Sequence, residues 1–307
     1  MKACIDIGGT KVAVSLNRGN DLEFIARRSE PTAKTGGNDA LAAQVVRMVD
    51  EACAEVGVAA SSLRRSGVSS CGPFAMRDGL IELAAPNICG GIAGPARGLP
   101  NAWNTALLEA PLRLRFDEVR VENDCVAALE AERRWGALQG VEHCAYVTWS
   151  TGIGMGLCVD GRVLRGKNGN AGHAGHMFVS NNDDALCGCG NVGDVEALVA
   201  GNAISRRFGV DAASLLLRAQ AGDAASLRLV DSLCSVLGRA LYNLVITLDL
   251  QRISLGGSVF WHHRDFLLPR LAGQVRGRLG ALTDGCELVP AGLGNRVGDY
   301  AALALLG

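Results

Sequence analysis

The charges of this chain very nearly cancel: 30 lysines and arginines stand against 31 aspartates and glutamates, a formal net charge of −1. With no excess of either sign there is no global electrostatic case for a nucleic acid or an anionic membrane as partner. Proline is scarce, at 8 residues, and the 40 glycines follow no three-residue period, so collagen-like and disordered readings fall away. No apolar run reaches the roughly 18 residues of a membrane span. The longest uncharged stretch, Cys144 to Val159, carries Thr, Ser and Gly. An acid at Asp6 interrupts the place where a signal peptide would keep its apolar core. The 11 cysteines are odd in number and scattered from Cys4 to Cys286, unlike the framework of a small secreted domain. The expectation is a cytoplasmic, globular chain of 307 residues with free thiols, long enough for two domains.

Two familiar nucleotide motifs are also missing. No Gly-x4-Gly-Lys-Ser/Thr occurs, which excludes a P-loop, and Gly152-x-Gly154-x-Gly156 lacks the spacing of a dinucleotide fingerprint. What is present in excess is glycine, at about twice its usual share, and it gathers where strands give way to turns. Ala3 to Ile7 reads as a buried strand broken by Gly8-Gly9-Thr10, with Val12, Val14 and Leu16 alternating inward on a second strand before a turn at Asn17–Asn20. Ala145 to Trp149 repeats the pattern, followed by a turn over Ser150 to Gly156 and a strand at Leu157–Val159. Two strand–turn–strand units about 140 residues apart suggest two related lobes.

Helices fill the intervals. Asn38-Asp39 can cap one whose Leu41, Val45, Met48, Val49, Ala52 and Val56 share a face, ending at Gly57. Another runs from Asn123-Asp124 to about Trp135-Gly136, and a long one from Asp223 to Leu248. Ile253–Leu255 is a strand broken by Gly256-Gly257-Ser258, and Cys89 to Pro100 is a loop. Strands alternating with helices make an α/β protein.

Three constellations carry chemistry. Asp6-Ile7-Gly8-Gly9-Thr10-Lys11 combines an acid, bare backbone, a hydroxyl and an ammonium. Its N–H groups could cradle phosphate oxygens and Asp6 could orient a hydrated Mg²⁺, though Gly-Gly alone also suits an ordinary hairpin. Glu122-Asn123-Asp124 opens a helix after apolar Val119 and Val121. Asp there is a favoured N-cap, and the same macrodipole keeps its carboxylate ionised to accept a proton from a hydroxyl. His173-Ala-Gly-His176, Cys187-Gly-Cys189 and Asp194-Val-Glu196 form the densest polar group. His176, Cys187, Cys189 and Asp194 could supply a tetrahedral structural zinc site, or the thiols could simply be buried.

These pieces, in this order, resemble the ROK family (repressors, open reading frames and sugar kinases) of the actin-like ATPase superfamily. The most specific parts are Asp6–Lys11, Ala85-Pro86-Asn87, Glu122–Asp124, Ser150–Gly156 and His173–Glu196. The resemblance implies a two-lobed, ribonuclease H-like α/β fold with ATP and a sugar in a cleft between the lobes. Residues 1–120 would form the smaller lobe, a C-terminal helix at about 293–307 packing back on it, and residues 121–292 the larger. It implies Asp124 as the base that deprotonates the attacking hydroxyl, and Asn87, Asn123, Asp124, His176 and Glu196 at sugar-contacting positions. Gly8, Gly9, Thr10 and Lys11 match the first phosphate segment, Thr151-Gly152 the second, and Gly256-Gly257 the glycine pair beside adenosine.

Two departures bear on substrate and metal. His173 stands where the family commonly has Glu at the sugar's anomeric end, as in the subset represented by N-acylmannosamine kinases. Asp194 stands where the family has its third zinc-binding Cys, a harder ligand that puts zinc in question. The implied activity is phosphorylation of a hexose or amino-hexose, at its 6-OH, with N-acylmannosamine or 3-amino-3-deoxyglucose as alternatives to glucose. A sugar-responsive transcriptional regulator is the other class in the family. It is disfavoured because Asp6 leaves no room ahead of it for a DNA-binding domain. A homodimer is expected from the resemblance alone.

Overall fold

Inward alternation of Val12, Val14 and Leu16, all essentially inaccessible, makes a hairpin of Lys2–Ile7 (β1) and Lys11–Asn17 (β2), extended by Ile25–Pro31 (β3). Burying each such side chain contributes about 1.5–3 kcal/mol. The computed structural model describes every residue except 20–21, 95–96 and 181–184, so Asn20 of the expected turn lies outside the described residues. The first half continues with α1 (Ala40–Glu55), β4 (Arg65–Ser70), β5 (Phe74–Arg77), β6 (Leu80–Leu83), α2 (Gly90–Ala93), β7 (Ala106–Leu107), α3 (Glu109–Arg115), β8 (Glu118–Asn123) and α4 (Asp124–Trp135). The second half holds β9 (Cys144–Trp149), β10 (Ile153–Val159), β11 (Arg162–Val163), α5 (Val195–Val199), α6 (Gly201–Phe208), α7 (Ala212–Gln220) and α8 (Ala224–Leu248). It ends with β12 (Arg252–Gly256), α9 (Ser258–Trp261), α10 (Arg264–Val275), α11 (Gly280–Thr283), β13 (Glu287–Pro290) and α12 (Val297–Ala304).

The two large sheets share one plan. The first is ordered β3-β2-β1-β4-β8 and the second β11-β10-β9-β12-β13. In each, an antiparallel meander leads into strands that run parallel to the first strand of the hairpin. A small antiparallel sheet, β5-β6-β7, completes the strands. Each large sheet has its own hydrophobic core. Ile5, Val14, Met48 and Leu112 belong to the first, and Val147, Trp149, Leu237 and Phe260 to the second.

The described chain divides into two compact units, Met1–Ala131 with Arg165–Asn170 and Gly298–Gly307, and Glu132–Leu164 with Ala171–Val297. The boundary expected after residue 120 falls instead inside α4. The reason is pairing: β8 joins β4 in register from Glu118↔Arg65 to Asn123↔Ser70, and α4 begins at the next residue. Asp124 therefore belongs to the first unit. So does the C-terminus, where Lys2 Nζ donates to the Gly307 carbonyl at 2.9 Å and Arg27 pairs with Asp299 at 3.2 Å.

Three local expectations need correction. The turn read over Ser150–Gly156 is confined to Ser150–Gly152, because Ile153 already pairs with Trp149 and Gly154 and Gly156 lie within β10. The Cys89–Pro100 stretch contains the short helix α2, steadied by a bond from Gly90 N–H to Asn101 Oδ1 at 2.8 Å. Asp39 precedes α1 but makes no side-chain capping bond, whereas Asp223 caps α8 through Ser226 N–H at 2.8 Å. Helix α8 is long and apolar enough to cross a membrane by length and composition; its stripe Val230, Leu233, Leu237, Leu241 and Leu244 packs into the second core.

Candidate active site

Within the first unit, β1, β4 and β8 run parallel and end in register at Ile7, Ser70 and Asn123. Ligands of open α/β sheets collect outside such carboxyl ends. Three segments leave this edge: Gly8–Thr10, Cys71–Pro73 and the start of α4 at Asp124. Gly8 N–H closes the first turn on Lys11 O at 2.9 Å, and the Thr32 hydroxyl donates to Gly8 O at 2.7 Å. A side chain on Gly9 would bring its Cβ within 2.8 Å of Asn87 Cβ, so Asn87 lies directly against the turn. Arg97 in turn donates to Asn87 Oδ1.

Asp6 is partly buried and accepts from the Ser69 hydroxyl at 3.2 Å. Burial pushes its carboxyl up from 3.8 to about 6, and the charge of Asp124 adds to the rise, while the Ser69 bond and Lys11 oppose it. Asp124 is exposed at the first turn of α4, its Oδ1 accepting from Cys125 N–H at 2.8 Å. Buried Asn123, immediately before α4, accepts from the same N–H at 3.0 Å and so takes the capping position expected of Asp124, which is the first helical residue.

Within the second unit, β9 and β12 run parallel with Thr148 opposite Gly256, so the Ser150–Gly152 turn and Gly257 leave one edge. The turn is closed by Ser150 N–H to Gly152 O at 3.0 Å and held by Gly201 N–H on Ser150 O at 2.8 Å. Glu196 Oε2 accepts from Ile153 N–H at 3.0 Å, in the space that Gly152 leaves by lacking a Cβ. Gly257 has φ +90°, and a Cβ there would meet Trp149 O at 2.4 Å. Only glycine fits.

His173 and His176 stack with centroids 6.4 Å apart. His176 Nδ1 lies 3.1 Å from Asp194 Oδ2, 3.7 Å from Cys187 Sγ and 3.5 Å from Cys189 Sγ, and Cys189 Sγ is 3.6 Å from Asp194 Oδ2. A tetrahedron with zinc–nitrogen and zinc–oxygen bonds of about 2.1 Å and zinc–sulfur bonds of about 2.3 Å has edges of roughly 3.4–3.8 Å. The donor set fits. Its fourth member is fully inaccessible, Asp194 also capping α5 by accepting from Ala197 N–H at 2.7 Å. The bond to Asp194 raises the His176 imidazole above its usual value, and burial pushes the Cys187 thiol up. Burial works to raise the Asp194 carboxyl, yet the bonds from His176 and Ala197 N–H hold it below the usual range.

The structure thus brings Asp6, Gly8, Gly9, Thr10, Lys11, Asn87, Asn123 and Asp124 together in one unit. It groups Thr151, Gly152, His173, His176, Cys187, Cys189, Asp194, Glu196, Gly256 and Gly257 in the other. Sequence reasoning missed Ser69, Thr32 and Glu132. Glu132, fully buried, accepts from the N–H groups of Ala137, Gly292 and Leu293 at 2.8, 2.9 and 2.8 Å and from the Ser254 hydroxyl at 3.1 Å. Nothing in its neighbourhood in the chain signals this.

A sequence model of the ROK family matches residues 2–306. The chain is 26% identical to a glucokinase of Aeropyrum pernix, covering 98% of this chain and 95% of that protein. It is 32% identical to an N-acetylmannosamine kinase of Salmonella paratyphi B, covering 83% and 82%. The crystal structure of a ROK hexokinase from Thermus thermophilus superposes with a TM-score of 0.76 at 32% identity, covering 99% and 97%. Fold and site together define a carbohydrate kinase of the actin-like ATPase fold. Within that class, the chain belongs to the ROK family.

Proposed function

We propose that this protein transfers the γ-phosphoryl group of ATP to the 6-OH of a hexose or amino-hexose, with Asp124 as general base. The observation that carries this reading is the place of Asp124 beside Asp6 and the Gly8–Lys11 turn, at the carboxyl edge of β1, β4 and β8. At the N-terminus of α4 the Asp124 carboxylate is favoured, and it takes the hydroxyl proton as the sugar oxygen bonds to the γ-phosphorus and the bond to ADP breaks. In the first unit Gly8–Lys11 offers a phosphate group N–H donors and an ammonium; in the second, Thr151-Gly152 is the other phosphate segment and Gly256-Gly257 offers adenosine a wall without side chains. A bound magnesium ion would neutralise phosphate charge, its waters oriented by Asp6.

Asn87, Asn123, His173, His176 and Glu196 form the sugar-contacting set. His173, where the family commonly has Glu, is shared with the subset represented by N-acylmannosamine kinases and favours N-acylmannosamine over glucose, with 3-amino-3-deoxyglucose as the other alternative. The similarity to an N-acetylmannosamine kinase supports the first of these. His176, Cys187, Cys189 and Asp194 would hold a zinc ion as a closed structural site. With Nδ1 turned to that cluster, His176 keeps Nε2 for a sugar hydroxyl.

ADP release should be measured with glucose, mannose, N-acetylmannosamine, N-acetylglucosamine and 3-amino-3-deoxyglucose, for the natural chain and Asp124→Asn. The expected result is turnover of at least one sugar, falling at least about 100-fold in the variant while sugar binding persists. Near-normal turnover by the variant removes Asp124 as base. Silence of the natural chain with all five sugars counts against a hexose kinase.

A further inference from the structure

Arg165–Asn170 lies in the chain between two stretches of the second unit, yet it belongs to the first. Two side chains hold it there. Asn170 takes both backbone groups of Phe74, accepting from its N–H at 2.8 Å and donating Nδ2 to its carbonyl at 2.8 Å. One carboxamide thus does for the first residue of β5 what a neighbouring strand would do. Arg165 Nε donates to Glu122 Oε1, and its guanidinium lies 3.8 Å from Glu130. The Glu122 side chain is only 12% exposed, so this pair is firmer than an ordinary surface ion pair.

Both anchors border the proposed active site. Glu122 immediately precedes Asn123-Asp124, and Phe74 follows the Cys71–Pro73 segment that leaves the same sheet edge. On the far side of the anchor the chain runs Asn170-Ala171-Gly172-His173 into the histidine segment. We propose that Asn170 is a positioning residue for the sugar: it fixes the approach to His173 and His176 by tethering the chain just ahead of them to Phe74, with Arg165 as second anchor. That the ligand is a sugar rests on the kinase reading; the tether does not. The amide is specific for the task. Aspartate would accept the Phe74 N–H but set an anion against its carbonyl, and alanine would leave both groups without their partner.

The test uses the full chain with Asn170→Ala, Asn170→Asp and, should the first fold poorly, Arg165→Ala. Hydrogen exchange at the Phe74 amide and across residues 169–176 reads the tether; calorimetric titration with glucose and N-acetylmannosamine, with KM for sugar and for ATP, reads its use. Faster exchange is expected in all three variants, least in Arg165→Ala. Sugar KM should rise about tenfold or more, the effect of losing about 1.4 kcal/mol, with ATP KM within about twofold. Unchanged exchange at 169–176 overturns the tether. Faster exchange with unchanged sugar affinity, or equal rises in both KM values, overturns the positioning role. If the natural chain neither binds nor phosphorylates sugar, the kinase reading fails and the sugar role with it, while the exchange data still decide the tether.

Discussion

Asp6 sits where stability and function conflict. Its folded-state carboxyl, raised by burial from 3.8 to about 6 with help from Asp124, keeps a proton that the unfolded chain has already released. Between about pH 4 and pH 6 stability therefore falls as pH rises, and above about 6 the whole penalty is present. Asp6→Asn removes the ionisation and is expected to raise stability at pH 8 by about 1–3 kcal/mol, the gain shrinking as pH falls from 6 toward 4. Kinase activity should be lost in the same variant, the usual exchange at a charged site. Urea unfolding at pH 8 and pH 5 checks it: a variant less stable at pH 8 would mean the carboxylate is held by contacts stronger than its burial cost. At this scale the sequence was informative where chemistry demands a residue type, as at Asp6, Lys11 and Asp124. It was silent on Ser69 and Thr32, whose roles arise only when β4 lies beside β1 and β3 beside β2.

Elements were legible where glycine punctuates them. The two hairpins announced themselves because a strand interrupted by Gly8-Gly9 and another by Gly152 share one local need, a tight turn ahead of an apolar run. The start of β10 was not, since Gly154 and Gly156 look like turn residues until Ile153 pairs with Trp149. Glu132 shows the same limit on α4. In sequence it sits beside Arg133-Arg134, but the fold turns it inward to join the end of α4, the middle of β12 and the chain that follows β13. Glu132→Ala would strand three N–H groups and a hydroxyl, each costing about 1–3 kcal/mol when left unmade. Allowing for some entry of water, the loss should be at least about 3 kcal/mol. Glu132→Gln should cost less, because its oxygen can keep the three donors at Oε2 while its amide meets only Leu293 N–H. Equilibrium unfolding ranks the two; an alanine variant within about 1 kcal/mol of the natural chain would show the carboxylate is dispensable.

At the scale of the whole molecule, the two sheets repeat one strand plan, which the hairpin echo foretold, although the unit boundary inside α4 was hidden by long-range pairing. The second half departs from the first in its excursion between β11 and β12. The described residues of 171–194 carry little regular structure: a 3-10 turn at Ala174–His176 and the isolated bridges Phe178↔Asp194 and Leu186↔Val192. Ala185 and Cys187 are buried there, but Phe178 and Leu186 are 67% and 62% exposed, so apolar burial is a thin support. His176, Cys187, Cys189 and Asp194 converge where a staple is needed, their ligand atoms all within 4.8 Å of one another. A carboxylate in the fourth place makes a harder and weaker set than a third thiolate. Chain purified from zinc-supplemented medium is therefore expected to hold up to one zinc per chain, released by dialysis against a chelator and restored by added zinc. Release should speed hydrogen exchange across residues 172–196 while β9 and β12 keep their protection, because the sheet has its own core. Elemental analysis finding no zinc even at excess metal would remove the site, and zinc that resists chelation would show Asp194 to be a ligand as good as cysteine. Protection lost throughout β9 and β12 as well would mean that the cluster holds the entire second unit together, and not one segment of it.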